Sequence, residues 1–139
     1  MAADQQRLTL EVATLTGLAL STEADSVEAP GSEGEFGVLP NHRPLLAALR
    51  AGVLHYELDG ETHRAAVGSG FVEAGPTKVL VLTDNFALPG DVSAEEAERD
   101  LEEAEAKLAA FREAHVGPDF AQIRREIEWA RARRSLARA

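Results

Sequence analysis

One stretch of thirteen residues decides how the rest of the chain can fold. It reads Gly34-Glu35-Phe36-Gly37-Val38-Leu39-Pro40-Asn41-His42-Arg43-Pro44-Leu45-Leu46. Glycine allows backbone angles that other residues avoid, while Pro40 and Pro44 fix their own torsion and push the preceding residues toward extended conformations. Neither a regular helix nor a regular strand suits this pattern, so it predicts a shaped loop between two strands, followed by buried leucines at 45 and 46. Such a loop on a rigid scaffold commonly carries binding function, and this one contains no nucleophile or thiol.

Upstream of this loop, apolar and polar residues alternate as they do in half-buried strands. A first strand is predicted at residues 7–13 and a second extended region at residues 18–30, with a turn at Gly17 between them. The expected buried positions are Leu8, Leu10, Val12, Leu18, Leu20 and Val27. The second region ends at Pro30-Gly31, a pair of residues that signals a turn.

Downstream of the loop, two hairpins are predicted. Asp59-Gly60 lies between two extended runs, and this pair in such a setting is a strong signal for a tight hairpin turn. Gly75-Pro76 lies between two more runs. The four runs are residues 53–58, 62–67, 71–74 and 78–83. Short strands at this spacing, with no helical period among them, predict an antiparallel β-sandwich or a flattened barrel.

The pattern becomes helical after Pro89-Gly90. Ser93 and Glu96 form a capping-box pair that marks the start of a first helix. Apolar residues then recur every three or four positions and form one stripe. They are Ala97, Leu101, Ala104, Leu108 and Phe111. This helix is expected to end near His115.

A second helix is predicted to follow the Gly117-Pro118 loop, with Asp119 as its cap. Its apolar side consists of Phe120, Ile123, Ile127 and Ala130. A loop this short makes the two helices antiparallel neighbours. The chain is therefore expected to be an α+β protein, with an antiparallel β-sandwich domain at residues 1–91 and a helical hairpin at residues 92–139.

Length and composition bound the class of protein. A chain of 139 residues with 45% hydrophobic content is sufficient for one ordinary core or two small packed units. Its longest apolar runs are far below the roughly 18 to 20 residues that span a bilayer. The start of the sequence lacks a basic segment followed by an apolar core, so we expect no signal peptide and a cytoplasmic site. The absence of cysteine excludes disulfides and thiol catalysis.

Charge is distributed unevenly along the chain. The formal net charge of −10 argues against nucleic-acid binding, which uses a basic surface. Residues 1–92 carry 13 acidic and 5 basic side chains, residues 93–113 carry 8 and 3, and residues 114–139 carry 3 and 6. The acidic first helix is thus expected to lie against a basic second helix. Because exposed ion pairs and a thin alanine-rich seam stabilise such a pair only weakly, we expect the hairpin to detach readily from the sandwich.

Motifs for catalysis are missing from the sequence. Gly68-Ser69-Gly70 is followed by neither a lysine nor a helix, so it is interpreted as a bend and not as a phosphate loop. The histidines are widely spread, and no pair has the spacing of zinc ligands. They are His42, His55, His63 and His115. We expect no catalytic residue, no metal and no cofactor, and we interpret the acidic run at residues 95–105 as a solvated helix face.

Three functional classes remain after this survey. An enzyme would need a convergent set of polar residues, and the sequence offers none. A free-standing β-sandwich module that binds a ligand or a protein is the alternative, and it would behave as a solitary protein in gel filtration. The third class is a subunit of a larger assembly.

Three segments of the chain resemble the epsilon subunit of the F-type ATP synthase. They are GSEGEFGVLPNH at residues 31–42 with PLL at 44–46, VGSGFVE at residues 67–73, and VLVLTDN at residues 79–85. Their order and spacing are similar to the family pattern as far as about Asp91, and the tail has the two-helix layout of the family. The first segment is the most specific.

The resemblance implies a non-catalytic rotor subunit of the central stalk, which binds the gamma subunit and the ring of c subunits and couples proton flow to ATP synthesis. It also implies a peripheral position at the cytoplasmic face of the bacterial inner membrane. By position, Glu35 and His42 would lie at or near the contact with the c-ring or gamma. The sequence leaves open that the loop merely closes the sandwich.

The hairpin has an inhibitory role in this family, in which it extends along gamma and inserts among the alpha and beta subunits. The resemblance implies that Arg131, Arg133 and Arg134 contact those catalytic subunits, provided that nearby acids satisfy them poorly. The alternative is that these arginines only complement the acidic first helix. Whether the hairpin inhibits, and whether Trp129 packs at the edge of the core or contacts a partner, stays open at this point.

Some bacterial members of the family bind ATP between the two helices. Their motif is Ile or Leu, then Asp, two variable residues, Arg and Ala. The matching residues here are Val92-Ser93-Ala94-Glu95-Glu96-Ala97. Ser93 stands where the motif has Asp, and Glu96 stands where it has Arg. An acid in place of a phosphate-binding cation predicts weak or no ATP binding.

Overall fold

The computed structural model describes residues 6–111 and 117–139. In this part of the chain, ten strands are followed by a 3₁₀ turn at Pro89–Asp91 and two helices. The strands are β1 Leu8–Thr14, β2 Gly17–Ala24, β3 Ser26–Gly31, β4 Gly34–Val38, β5 Leu45–Leu49, β6 Gly52–Leu58, β7 Glu61–Val67, β8 Gly70–Ala74, β9 Lys78–Thr83 and β10 Phe86–Ala87. The helices are α1 Ala94–Ala110 and α2 Pro118–Arg138. This order confirms the predicted α+β class.

The described strands belong to one sheet that folds over on itself. Their order is β10-β7-β6-β3-β5-β8-β9-β1-β2, with β4 also paired to β3. The sheet folds where β3 meets β5, which share the single pair Gly31–Leu49. We call β5, β8, β9, β1 and β2 the first layer, and the other five strands the second layer. Pairing is antiparallel except between β1 and β9, so the predicted antiparallel sandwich contains one parallel pair.

The core lies between the two layers and follows the alternation of the sequence. Leu8, Leu10 and Val12 on β1 are fully buried, as expected from their period of two. They belong to one buried cluster with Val27, Ala29, Val38, Leu54, Val67, Val72, Val79 and Val81. Half-buried Phe36 and Leu45 pack against this cluster. Strands from both layers therefore share a single hydrophobic core.

Two predicted turns form because glycine supplies their geometry. Asp59 and Gly60 have φ values of 53° and 80°, which suits the two-residue turn that joins Leu58 to its partner Glu61. At Gly70, a Cβ atom would lie 1.8 Å from the carbonyl oxygen of Leu82. Only glycine fits there, so Gly68-Ser69-Gly70 is a bend at the start of β8, as predicted.

The stretch from Gly34 to Leu46 is not the continuous loop that its composition predicts. Its first five residues form strand β4, which pairs with β3. This prediction was wrong because an edge strand, hydrogen bonded on one side only, tolerates glycine within it. The loop is limited to residues 39–44. The predicted turn at Pro30-Gly31 is also displaced: both residues lie in β3, and the turn is formed by Ser32 and Glu33.

Leu46 and Leu18 do not occupy the core positions predicted for them. Leu46 is 69% exposed, because it alternates along β5 with Leu45, which faces the core. Leu18 is 60% exposed because β2 contains a bulge. Val12 pairs with Leu20, whereas the next residue of β1, Ala13, pairs with Leu18. Consecutive strand residues face opposite sides, so Leu20 packs against the core and Leu18 faces solvent.

The helices begin close to their predicted positions. Ser93 caps α1 as predicted, because its Oγ accepts the Glu96 backbone N–H at 3.2 Å. Helix α1 ends at Ala110, whereas the boundary predicted near His115 lies outside the described residues. Helix α2 begins at Pro118, so Asp119 is its second residue and not its cap. Proline suits a first helical position, where its missing N–H has no helical partner.

The hairpin packs on the second layer through α2. Ala132 and Leu136 form a buried cluster with Ala66 of β7, and half-buried Val53 and Trp129 pack against it. Trp129 therefore lies at the edge between helix and sheet. A separate cluster of Leu101, Ala104, Ile127 and Ala130 holds α1 to α2. The buried cluster between the two sheet layers contains no residue of either helix. The hairpin therefore packs on the outside of the sandwich and does not contribute to its core.

Candidate partner-binding surfaces

The side of the sandwich formed by β4, the 39–44 loop and β5 carries two of the predicted contact residues. Asn41 holds the loop in a left-handed conformation, with φ at 69°, and its N–H donates to the carbonyl oxygen of Pro76 at 2.8 Å. Between β4 and β5 lies a groove of about 510 Å³. It is lined by Gly31, Ser32, Glu33, Gly34, Glu35, Phe36, Leu45, Ala47 and Ala48. This side is thus a shaped, solvent-accessible surface.

Glu35 is exposed on β4 and shifts the pKa of the neighbouring Glu28 carboxyl. Glu28 pairs across the sheet with Gly37, so both carboxyls lie on the same face, diagonally opposed. Protonated Glu28 donates a hydrogen bond to the Glu35 carboxylate, and this bond together with the negative charge of Glu35 raises the pKa of Glu28 above its ordinary value, while His55 on β6 opposes that shift. At neutral pH the Glu28 and Glu35 carboxylates are therefore both negative and repel each other across strands β3 and β4.

Replacing Glu28 by glutamine is expected to stabilise the protein at neutral pH and not at pH 4. A carboxyl whose pKa is raised by folding binds its proton more tightly when folded, so it favours folding at low pH and opposes folding as the pH rises through that pKa. Because water screens these exposed carboxyls, we expect a gain of about 0.2–0.5 kcal/mol, at the low end for cross-strand pairs. Thermal unfolding at neutral pH and at pH 4 measures this gain in stability. The control is Glu33→Gln, in the turn that adjoins β4. Equal gains at both pH values would contradict the proton-linked origin.

His42 lies in the 39–44 loop and is half-buried. Its backbone N–H donates to the carbonyl oxygen of Leu39 at 3.2 Å, and its Nδ1 lies 2.7 Å from the carbonyl oxygen of Arg43. Nδ1 therefore carries the proton in this arrangement, and Nε2 is the ring nitrogen left for an outside donor. Glu35 and His42 lie beyond opposite ends of the middle of β4, and no contact in the described chain joins them.

The predicted arginine contacts lie elsewhere, on α2, and two of them are well paired. Arg133 Nη1 lies 2.8 Å from Asp100 Oδ2, and Arg134 Nη1 lies 3.3 Å from Glu98 Oε1. The expectation that nearby acids satisfy these arginines poorly is thus wrong for Arg134 and for Nη1 of Arg133, whereas the buried Nε of Arg133 has no hydrogen-bond partner in the described chain. Antiparallel packing brings the acidic face of α1 against them, and the sequence alone does not fix that register.

Arg131 differs from its two neighbours. It is exposed, and no ion pair to it is found among the described residues. Arg133 also lies over the Trp129 ring, with its guanidinium carbon 5.5 Å from the ring centroid. Arg131 is therefore available to a partner, whereas Arg133 and Arg134 must first leave α1.

The start of α1 contains the residues compared above with a nucleotide motif, and there they form a helix cap and an acidic first turn. Ser93 Oγ is engaged in capping α1, and Glu96 is exposed at its first turn. A phosphate there would meet carboxylates at Glu95 and Glu96. Along the described chain, no group of three His, Asp or Glu residues could hold a metal ion, and no helix is long and apolar enough to span a bilayer.

Known proteins are similar to this chain over almost its entire length. Residues 7–89 match the family described as the beta-sandwich domain of the ATP synthase delta/epsilon chain. An ATP synthase epsilon chain of Nitratidesulfovibrio vulgaris (strain DP4) is 39% identical, covering 97% of this chain and 92% of its own. One from Anaeromyxobacter dehalogenans (strain 2CP-C) is 37% identical, covering 94% of each.

Solved structures share the fold. A chain in the cryo-EM structure of the Euglena gracilis mitochondrial ATP synthase, comprising OSCP, F1 and the c-ring, superposes with a TM-score of 0.76. It is 23% identical, and the match covers 91% of this chain and 78% of that one. The sandwich followed by two helices is thus shared with a protein of that assembly. The family model and the relatives, matched over more than nine-tenths of their length, place the chain in the family of ATP synthase epsilon chains.

Proposed function

We propose that this chain is a non-catalytic rotor subunit of the central stalk of an ATP synthase, which binds the gamma subunit and the c-ring and couples proton flow to ATP synthesis. The observation that carries the proposal is the match along both the sandwich and the helices to relatives named ATP synthase epsilon chain. The similar Euglena chain belongs to a structure that contains a c-ring, which supports the c-ring as a partner. The proposed location is peripheral, at the cytoplasmic face of the bacterial inner membrane.

Glu35 and His42 are the proposed contact residues toward the c-ring or the gamma subunit. Glu35 is exposed and lines the groove between β4 and β5, and His42 is half-buried in the 39–44 loop that follows β4. A carboxylate and an imidazole at these positions suit polar loops on a partner, which offer donors and acceptors of both kinds. Both residues belong to the Gly34–Leu46 stretch, in which half-buried Phe36 and Leu45 pack on the core.

Copurification tests the proposed function. A tagged copy of the full chain is expressed in its source cells, and membranes are extracted with a gentle detergent. We expect the gamma and c subunits to elute with it, together with the catalytic subunits. Glu35→Lys should weaken recovery of the c-ring more than Glu33→Lys, a matched change in the turn before β4. Elution of the wild-type chain without gamma or c subunits would reject the proposal.

The proposed division of the chain places an assembly domain at residues 1–91 and a regulatory hairpin at residues 92–139. The members of the sandwich core all precede residue 92, and the hairpin adds one cluster between its helices and one that it shares with Ala66 of β7. Regulation by the hairpin requires contact with the alpha and beta subunits, and the proposed contacts are Arg131, Arg133 and Arg134. Arg131 is free for this role in the present arrangement, and the other two become free if α2 separates from α1.

ATP is expected to bind weakly or not at all. Glu96 brings a negative charge to the position where a phosphate would need a cation, and Ser93 is already engaged as the helix cap. Calorimetry on the full chain should therefore give a dissociation constant above about 100 μM, a binding free energy weaker than roughly −5.5 kcal/mol. The double variant Ser93→Asp with Glu96→Arg restores the motif and is the matched comparison. Tighter binding by the unmodified chain would contradict the inference.

A further inference from the structure

The turn between β3 and β4 is flanked by a glycine on each side. Gly34 has φ at 126°, a conformation that L side chains rarely adopt, and a Cβ atom on Gly31 would lie 2.6 Å from the carbonyl oxygen of Gly34. Both positions therefore require glycine, whose backbone is the most flexible of all residues. Within the described chain, the side chains of Ser32 and Glu33 form no hydrogen bond. The turn thus has no side chain of its own that holds it in place.

The end of β5 and the residue that follows it, Arg50, hold the turn instead. The Ser32 N–H donates to the carbonyl oxygen of Ala48 at 2.9 Å, and the Arg50 N–H donates to that of Pro30 at 2.9 Å. Arg50 adds a hydrogen bond from its side chain, because its Nε–H donates to the carbonyl oxygen of Gly31 at 3.2 Å. Along the described chain, no other side chain bonds to this turn or its flanking glycines. Arg50 therefore ties a flexible turn of the second layer to a strand of the first layer.

The same place is the closed end of the groove between β4 and β5. One strand pair, Gly31 with Leu49, joins the two layers there, and β4 and β5 then separate to leave the groove of about 510 Å³. Glu35 lines this groove and pairs with Pro30, the residue before Gly31. The orientation of the Gly31 carbonyl relative to β5 therefore sets how far β4 stands from β5. A rotation at this point displaces the Glu35 carboxylate.

Two functions are open to Arg50, and they use different atoms. Arg50 is exposed and forms no ion pair with any described residue, so its charge would act on Glu33 and Glu35 only from a distance, where water and salt screen it. The Nε–H, in contrast, makes a part-buried hydrogen bond to one defined oxygen atom. A hydrogen bond of this kind depends on direction as well as distance, so it fixes an orientation as a screened charge does not.

We propose that Arg50 is a positioning residue, whose Nε–H fixes the β3–β4 turn and so holds Glu35 at the angle that contact with the c-ring requires. This inference rests on the proposed function, in which Glu35 is a contact residue. Arg50 acts through the Gly31 carbonyl and does not itself touch the partner. Contact residues of a binding surface need to be held within about 0.5 Å by supporting hydrogen bonds of this type.

Two substitutions separate the hydrogen bond from the charge. In Arg50→Gln, the Nε2 donor is as many bonds from Cα as the Nε of arginine, so the bond to Gly31 can form without the charge. In Arg50→Met, a methyl group takes that place, and both the donor and the charge are lost. The measurement is the affinity of the full chain, bound to gamma, for detergent-solubilised c-rings. We expect Arg50→Met to weaken this affinity about five- to tenfold, as for the loss of one hydrogen bond, and Arg50→Gln to stay within about twofold of the wild type.

Arg99→Met is the matched control. Arg99 is exposed on α1 and does not line the groove, so this change removes an equal charge and should leave c-ring affinity unchanged. Affinity for gamma alone should be the same in all three variants and the wild type. Thermal unfolding of each variant verifies that it is folded.

Amide exchange at Ser32 reports on the turn without any partner. Its N–H donates to Ala48, and this bond opens more often if the turn is no longer held by Arg50. We expect the Ser32 amide to exchange at least about fivefold faster in Arg50→Met and at the wild-type rate in Arg50→Gln. Hydrogen exchange followed by NMR on the full chain measures both rates.

The outcomes separate the competing explanations. Equal losses of c-ring affinity in Arg50→Gln and Arg50→Met would assign the effect to charge and overturn the positioning role. Wild-type affinity in both variants would overturn this inference alone, provided that the wild-type chain binds c-rings. If the wild-type chain binds no c-ring, the proposed function fails together with this inference. A loss of gamma binding with unchanged c-ring binding would overturn the assignment of this turn to the c-ring. Loss in Arg50→Met with rescue in Arg50→Gln, in both binding and exchange, supports the inference.

Discussion

Phe36→Asp is expected to leave the chain unable to fold cooperatively. The Phe36 ring packs against the core and over Gly31, where an added Cβ would lie 2.9 Å from ring atom Cδ1. Aspartate would remove the ring packing and bring an unpaired charge into this half-buried position, and together these changes are expected to cost several kcal/mol. Domains of this size have a free energy of unfolding of only about 5–15 kcal/mol. A loss of this size removes most of that stability.

Circular dichroism and thermal unfolding measure this effect, and recovery in tagged complexes measures assembly. Leu39→Asp is the control from the same stretch, because Leu39 is 63% exposed and should tolerate a charge. We expect the control to fold with a melting temperature close to that of the wild type. A normal level of coupled ATP synthesis by membranes that carry Phe36→Asp would contradict the prediction.

Deletion of residues 92–139 is expected to raise ATP hydrolysis while leaving assembly and proton-driven synthesis largely intact. The sandwich core contains no hairpin residue, so the shortened chain should keep it. Removal of α2 uncovers Ala66 and Val53, which costs some stability but leaves the core closed. If the hairpin inhibits through a typical allosteric coupling, hydrolysis rises by at least about fivefold. Cooperative unfolding of the 1–91 fragment verifies that it folds.

The ion pairs between the helices allow a sharper version of this test. Changing Arg131, Arg133 and Arg134 together to alanine should give part of the same release of hydrolysis, because it removes the proposed contacts with the catalytic subunits. Glu98→Gln with Asp100→Asn breaks the same pairs from the α1 side but leaves the arginines in place. That variant should inhibit as strongly as the wild type or more strongly. Equal hydrolysis by the deletion variant and the wild type would mean that this hairpin does not inhibit.

Much of the architecture follows from local sequence. The alternation of Leu8, Leu10 and Val12 predicts the buried face of β1, and Asp59-Gly60 predicts a hairpin turn, because both depend on residues close together in the chain. The same holds for Ser93, whose hydroxyl caps the helix three residues before Glu96. The family assignment from the three resembling segments is likewise confirmed by the full-length relatives.

Register and packing between distant segments are decided only by tertiary structure. The sequence shows Leu18 as an apolar residue in a strand, but the bulge opposite Val12 and Ala13 turns it outward. The presence of six arginines in a basic tail does not reveal that Arg133 forms an ion pair with Asp100. Nor does any single segment show that Phe71 stands between Ala48 and Leu82. Local patterns determine which residues form strands and helices. The pairing of strands far apart in the chain determines which apolar side chains remain exposed to solvent.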